Sequence, residues 1–143
     1  MLVILGRPRP SAGDNGGRVR INQSLAQGLK IETIDTRSFT YRGRIKVSKA
    51  DLAMARAGQK TCTIRRGVAT VASETIDLTD GVDRLRVRVV SVETIPYREL
   101  TDEHAHWEGF TDIAALQRDL ATYYRAIAAE QPMTIIRFER TDG

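Results

Sequence analysis

The sequence predicts an α+β domain: a small, curved β-barrel of about five to six strands with flanking helices. Three observations carry that prediction. Leu85–Ile95 (LRVRVVSVETI) is rich in β-branched residues and alternates apolar with polar positions, as a half-buried strand does. Ile113, Leu116, Leu120, Tyr123 or Tyr124, and Ile127 recur at intervals of three or four, the stripe of a helix lying on a core. Pro132 follows, and Met133–Phe138 (MTIIRF) makes a closing apolar strand.

The elements follow in order. Residues 6–18 (GRPRPSAGDNGGR) gather Gly, Pro, Asn and Asp and read as a loop. Residues 20–42 alternate only weakly (Ile31, Thr33, Asp35). Residues 1–43 are therefore expected to form a basic, loop-rich extension, with the folded domain at 44–140. Arg44–Val47 alternates as a short strand. Ser48 opens a helix, with Asp51 three residues on, and Val47 and Leu52 at staple positions. Gly58 supplies a left-handed terminator, so Lys60 falls just past a helix end. From Thr61 the chain is extended: Cys62 and Ile64 point one way, Thr61, Thr63 and Arg65 the other. Strands at Val68–Val71 and Thr75–Leu78 precede the long one, which Pro96 ends. Thr101 or Asp102 caps a short helix holding EHAHWEG, closed by Gly109, and a longer helix runs from Thr111 to Ala129.

Composition sets the class. A chain of 143 residues, 41% hydrophobic and 28% charged, suits one compact domain. The single cysteine, Cys62, favours a reducing compartment. The opening MLVIL is too short for a signal-peptide core and no apolar run reaches membrane-spanning length, so a cytoplasmic protein without a membrane partner is expected. Of the net charge of +4, residues 1–47 carry +6 and the rest −2. A basic leader attracts phosphates; the plainer reading is a solvated arm.

The stretch AGQKTCTIRRG (57–67) places Lys60, Thr63 and Arg65 where a core needs none of them. A surface strand with solvated basic ends is the bland explanation. A site is the sharper one, since the polar row Thr61, Thr63, Arg65 is left to line a cleft. Lys60 and Thr63 share a pocket only if the backbone still turns at Lys60. His104 and His106 face apart on a helix, and no further ligand set stands near them, so no metal is expected. His104 and Glu108 share a helical face. Trp107 either closes the core or offers a stacking surface to a base.

At this corner the chain resembles the ASCH family of the PUA-like superfamily. The carrying residues are Gly58-Gln59-Lys60-Thr61-Cys62-Thr63-Ile64-Arg65, the LRVRVVSVETI strand, Leu100-Thr101-Asp102-Glu103-His104-Ala105, Glu108 and the final IIRFE. The GxKTxTIR form is most similar to bacterial N4-acetylcytidine amidohydrolases. The resemblance covers about residues 44–140; Ala72-Ser73-Glu74 and His106-Trp107 depart from the family pattern. It implies a PUA-like barrel whose cleft receives a nucleoside or RNA, no cofactor, and a catalytic set of Lys60, Thr63 and Glu108. Arg65, Thr61, His104 and Trp107 would contact substrate. The oligomeric state is left open.

The implied chemistry is removal of an acetyl group from a modified cytidine nucleoside or base. It needs a nucleophile, a proton acceptor and support for an oxyanion. Either Lys60 or Glu108 serves as the base for Thr63, depending on whether burial or ion pairing governs Lys60. Two rivals stand beside this reading. One is a module that binds RNA or a modified nucleotide without catalysis, with Arg84, Arg86 and Arg88 contacting phosphates; the other is an RNA-cleaving ASCH protein.

Overall fold

The computed structural model describes residues 17–21 and 31–141. Its centre is a five-stranded sheet ordered β4(Arg44–Lys46), β7(Thr75–Thr79), β8(Arg84–Pro96), β9(Pro132–Arg140), β5(Cys62–Arg66). The β4–β7 pair is parallel and the other three pairs are antiparallel. Strand β9 is buried on both faces. Ile136 and Phe138 join the cluster under α1(Lys49–Arg56), while Met133 and Ile135 join the one under α2(Asp102–Trp107) and α3(Ile113–Tyr123). That two-sided burial is why MTIIRF reads as a nearly continuous apolar run. Strand β8 alternates cleanly from Arg84 to Arg88, then shifts register between Val89 and Ser91; such an irregularity bends a strand and increases its twist.

The closed barrel is not formed by strand pairing among the described residues, where β4 and β5 are free edges. A side chain nevertheless spans them. Arg65 on β5 donates from Nη2 to the Lys46 carbonyl of β4 at 2.7 Å, so the sheet curls until its edges lie within one arginine's reach.

Three strands lie within the segment expected to be loop-rich, and this corrects the sequence reading. β1(Gly17–Ile21) pairs antiparallel with β2(Ile31–Asp35), and β3(Ser38–Tyr41) pairs parallel with β6(Val68–Val71). Ile34 is buried, and the fully buried Gln131 side chain accepts from Asp35 N–H and donates to Asp35 C=O, both at 2.8 Å. One amide thus acts as a short strand partner for β2. Local alternation is weak there because the stabilising groups lie far away in the chain. The loop expected over residues 6–18 falls almost wholly outside the described residues. Buried Thr134 ties β6 to β9: its hydroxyl donates to Gly67 C=O (2.7 Å), accepts from Ala69 N–H (2.9 Å) and meets the Thr94 hydroxyl (2.8 Å).

The helices follow their caps. Ser48 accepts the Asp51 N–H at 3.0 Å, and Asp112 does the same for Ala115 at 2.9 Å. The last helix is shorter than the stripe predicts. It ends at Tyr123 because Tyr124 is extended and Ala126 has a φ of 38°, although Ile127 still packs on the core. Among the described residues no helix is long and apolar enough to cross a membrane.

Candidate functional site

Helix α1 ends at Arg56 with Ala57 as its C-cap, and Gly58 adopts a φ of +81°, which a residue with a Cβ rarely takes. The N–H groups of Gln59 and Lys60 both turn back to the Met54 carbonyl, at 2.9 and 3.2 Å. The backbone is therefore still turning at Lys60, and its side chain enters the interior, 2% exposed. Extended chain resumes at once: Thr61 N–H donates to the Trp107 carbonyl at 2.7 Å, and Phe138 N–H donates to the Thr61 carbonyl at 2.9 Å. Those bonds hold the start of β5 against the end of α2.

Glu108 caps the C-terminus of α2, and Gly109, with a φ of +94°, turns the chain away behind it. Its carboxylate is buried and occupied at both oxygens. Oε1 pairs with the Lys60 ammonium; Oε2 accepts the Ile64 N–H at 2.8 Å. Ile64 lies on the free edge of β5, so the carboxylate also satisfies an edge donor that would otherwise be buried without a partner. Burial pushes the Glu108 carboxyl above its ordinary range, against the opposing pull of Lys60 and the Ile64 N–H.

Thr63, the residue before Ile64 on β5, is buried, and its hydroxyl accepts from Arg65 Nε at 3.2 Å. A guanidinium only donates, so the Thr63 proton remains available for transfer. Burial raises the Tyr41 phenol, and the charge of Arg65 and its hydrogen bond to the phenol oppose that rise, placing Tyr41 at the same corner. The structure thus joins Lys60, in the turn before β5, with Glu108 at the end of α2, and Thr63 with Arg65 two positions along β5.

The remaining sequence candidates are placed differently. Thr61 acts through its backbone. His104 does not pair with Glu108: its Nδ1 accepts the Thr101 N–H at 2.9 Å and closes a capping box on α2. Its ring meets Trp107 edge-on, centroids 5.3 Å apart. Arg137 lies over the Trp107 ring at 3.8 Å, so the face suggested for base stacking is already covered by a cation. His106 reaches the Thr111 carbonyl at 2.9 Å instead. Burial holds the Cys62 thiol well above its usual range, which makes it inert. Among the described residues no group of three or more His, Cys, Asp or Glu is arranged to hold a metal ion.

Sequence reasoning missed two carboxylates. Asp51 pushes Glu108 up; Asp119 is itself raised by burial first and by Asp51 next, while Lys60 pulls it down. Lys60 therefore acts on two acids, Glu108 at the end of α2 and Asp119 in α3, and both of these also feel Asp51 at the start of α1. No spacing pattern could have gathered them. Arg86 and Arg88, suggested as phosphate contacts, are engaged with Asp77 and Glu139.

No family model matches the sequence, and no curated protein matches it significantly. Among solved structures the chain is similar to an ASCH domain from Lactobacillus crispatus JV V101, with a TM-score of 0.53 and 11% identity, covering 84% of this chain and 86% of that one. It is also similar to hypothetical protein PH0355, with a TM-score of 0.52 and 12% identity, covering 70% of this chain and 99% of that one. At these identities the likeness speaks for the fold.

Proposed function

We propose, from the ASCH-like fold, that the chain is an amidohydrolase that removes the acetyl group from N4-acetylcytidine or a related acylated cytosine. In this reading the curled sheet, its edges spanned by Arg65, is the PUA-like barrel frame, and the cleft serves a cytoplasmic enzyme without a cofactor. The observation that carries the proposal is the buried Lys60–Glu108 pair, whose carboxylate binds the backbone N–H directly after the buried Thr63.

Thr63 Oγ1 attacks the acetyl carbonyl carbon, and its proton passes to Glu108. Each Glu108 oxygen keeps a second lone pair after binding Lys60 or Ile64, and burial makes this carboxylate a stronger base than an exposed one. The Lys60 ammonium stabilises the oxyanion, and Arg65 stabilises the developing alkoxide of Thr63. Collapse breaks the C–N bond, Glu108 returns the proton to the departing cytosine amine, and water then releases acetate from the acyl-threonine. The deciding assay is acetate release from N4-acetylcytidine by the wild type and by Lys60→Ala. Wild-type turnover abolished in a folded variant supports the reading; equal turnover in both removes it.

A second reading, nucleotide or RNA binding without chemistry, is favoured by one observation. Both oxygens of Glu108 are already engaged, as in a structural ion pair. It predicts binding of acetylcytidine with no acetate released.

A further inference from the structure

The outward face of the sheet beside the site is built for polyanions. On β4, Arg44 and Lys46 point to solvent while Ile45 is buried, and Arg44 and Lys46 lie opposite Asp77 and Thr79 of β7. Across β7, Thr79 lies opposite Arg84 of β8. Arg42, Arg44, Lys46 and Arg84 line a groove of about 710 Å³ with Asp77 and Thr79. The one acid is already neutralised: Arg86 Nε binds it at 2.6 Å, and Arg84 stands 3.6 Å away. Among the described residues, no ion pair engages Arg42, Arg44 or Lys46. Alternation puts Arg44 and Lys46 on one side of β4, and Arg42 lines the same groove, so their positive potentials are summed there.

This groove borders the candidate site. Lys46 contributes a side chain to the groove and its carbonyl to Arg65, and the same guanidinium donates to Thr63. One planar group separates the groove wall from the hydroxyl.

We propose that this groove holds the sugar–phosphate backbone of single-stranded RNA, so that the acetylated cytosine offered to Thr63 belongs to a polynucleotide. The inference rests on the deacetylase reading for its substrate base and on the groove itself for its backbone. The target must be unpaired, because Lys60 and Thr63 are too deeply buried to reach a stacked base pair. Charge complementarity commits the groove to phosphates.

The test is fluorescence anisotropy with a labelled single-stranded RNA of about a dozen nucleotides, titrated across salt. Four groove cations predict a log–log salt slope of about −2.8. Arg42→Gln/Arg44→Gln/Arg84→Gln is expected to weaken binding at least tenfold and to cut the slope by about 2. The corresponding triple lysine variant keeps most of both. On acetylated RNA the glutamine variant raises KM with kcat preserved, and hydrolysis of free acetylcytidine stays at the wild-type rate. Absence of RNA binding by the wild type at low salt overturns the proposal. So does wild-type affinity in the glutamine variant, or equal loss in the lysine variant. If no substrate is hydrolysed but the glutamine variant alone loses RNA, the groove stands and the deacetylase reading falls.

Discussion

Lys60 and Glu108 stand 48 positions apart in the chain and meet as a buried ion pair, one at a helix exit and the other at a helix end. Removing one member leaves a buried charge without its partner, which costs about 3–5 kcal/mol. Lys60→Met and Glu108→Gln are each expected to destabilise the fold on that scale, and the double variant by clearly less than their sum. Urea unfolding of the four proteins measures the coupling. A coupling near zero would contradict a direct pair.

The proposed deacetylation gives Thr63 the chemistry and Arg65 the support. Thr63→Ala should reduce acetate release by at least ~100-fold with the fold intact, and Thr63→Ser should retain a measurable share. Arg65→Lys keeps the charge but loses the fork that reaches both Thr63 and Lys46. Its kcat is expected to fall while circular dichroism is unchanged. Full activity in Thr63→Ala would exclude the nucleophile assignment.

Two carboxylates give opposite pH signatures. The hydrogen bond from Arg86 lowers the Asp77 pKa, so its contribution to stability is present above the unfolded value near ~3.9 and is lost as pH falls through the lower folded value. Asp77→Asn should flatten the acid side of the stability profile. Burial raises Glu108, so its titration contributes most below about pH 4.3 and loses that contribution as pH rises through the folded value. Glu108→Gln should therefore change the slope in the reverse sense. Thermal melts from pH 3 to 8 test both signs.

Gly109 turns the chain directly behind Glu108 with a φ of +94°, and a Cβ there would overlap the Met54 methyl, a flexible side-chain end that must shift, and come within 3.3 Å of the Gln59 carbonyl. Gly109→Ala is expected to cost about 1–2 kcal/mol of backbone strain. That corresponds to a fall in Tm of roughly 3–8 °C. An unchanged melt would show that the loop relaxes freely.

Trp107 is the sole tryptophan, and Arg137 covers its ring. Arg137→Leu should shift the emission maximum while leaving the fold intact. Binding of acetylcytidine near Thr61–Thr63 should perturb the same signal, because the Thr61 N–H bonds the Trp107 carbonyl. Identical spectra for wild type and variant would refute the stacking.

Local sequence determined the elements from Arg44 onward. The cap at Ser48, the left-handed stop at Gly58, the alternation of Leu85–Val89 and the apolar run before Phe138 each act within a few residues, and periodicity records them. Strands β1 to β3 left little local trace. β2 is held by Gln131, 96 positions away, and β3 by parallel pairing with β6. The two free sheet edges and the bridge across them were equally beyond a linear reading.

The corner at Lys60 could be marked from the chain alone, because a lysine and two threonines after a glycine stop serve no core. Tertiary structure decided the rest: that Lys60 turns inward to Glu108, that Arg65 takes the Thr63 hydroxyl, and that Asp51 and Asp119 stand around them. The reason is physical. Dihedral preferences and side-chain periodicity are local, whereas the energy of a charge depends on burial and on the charges that folding brings beside it.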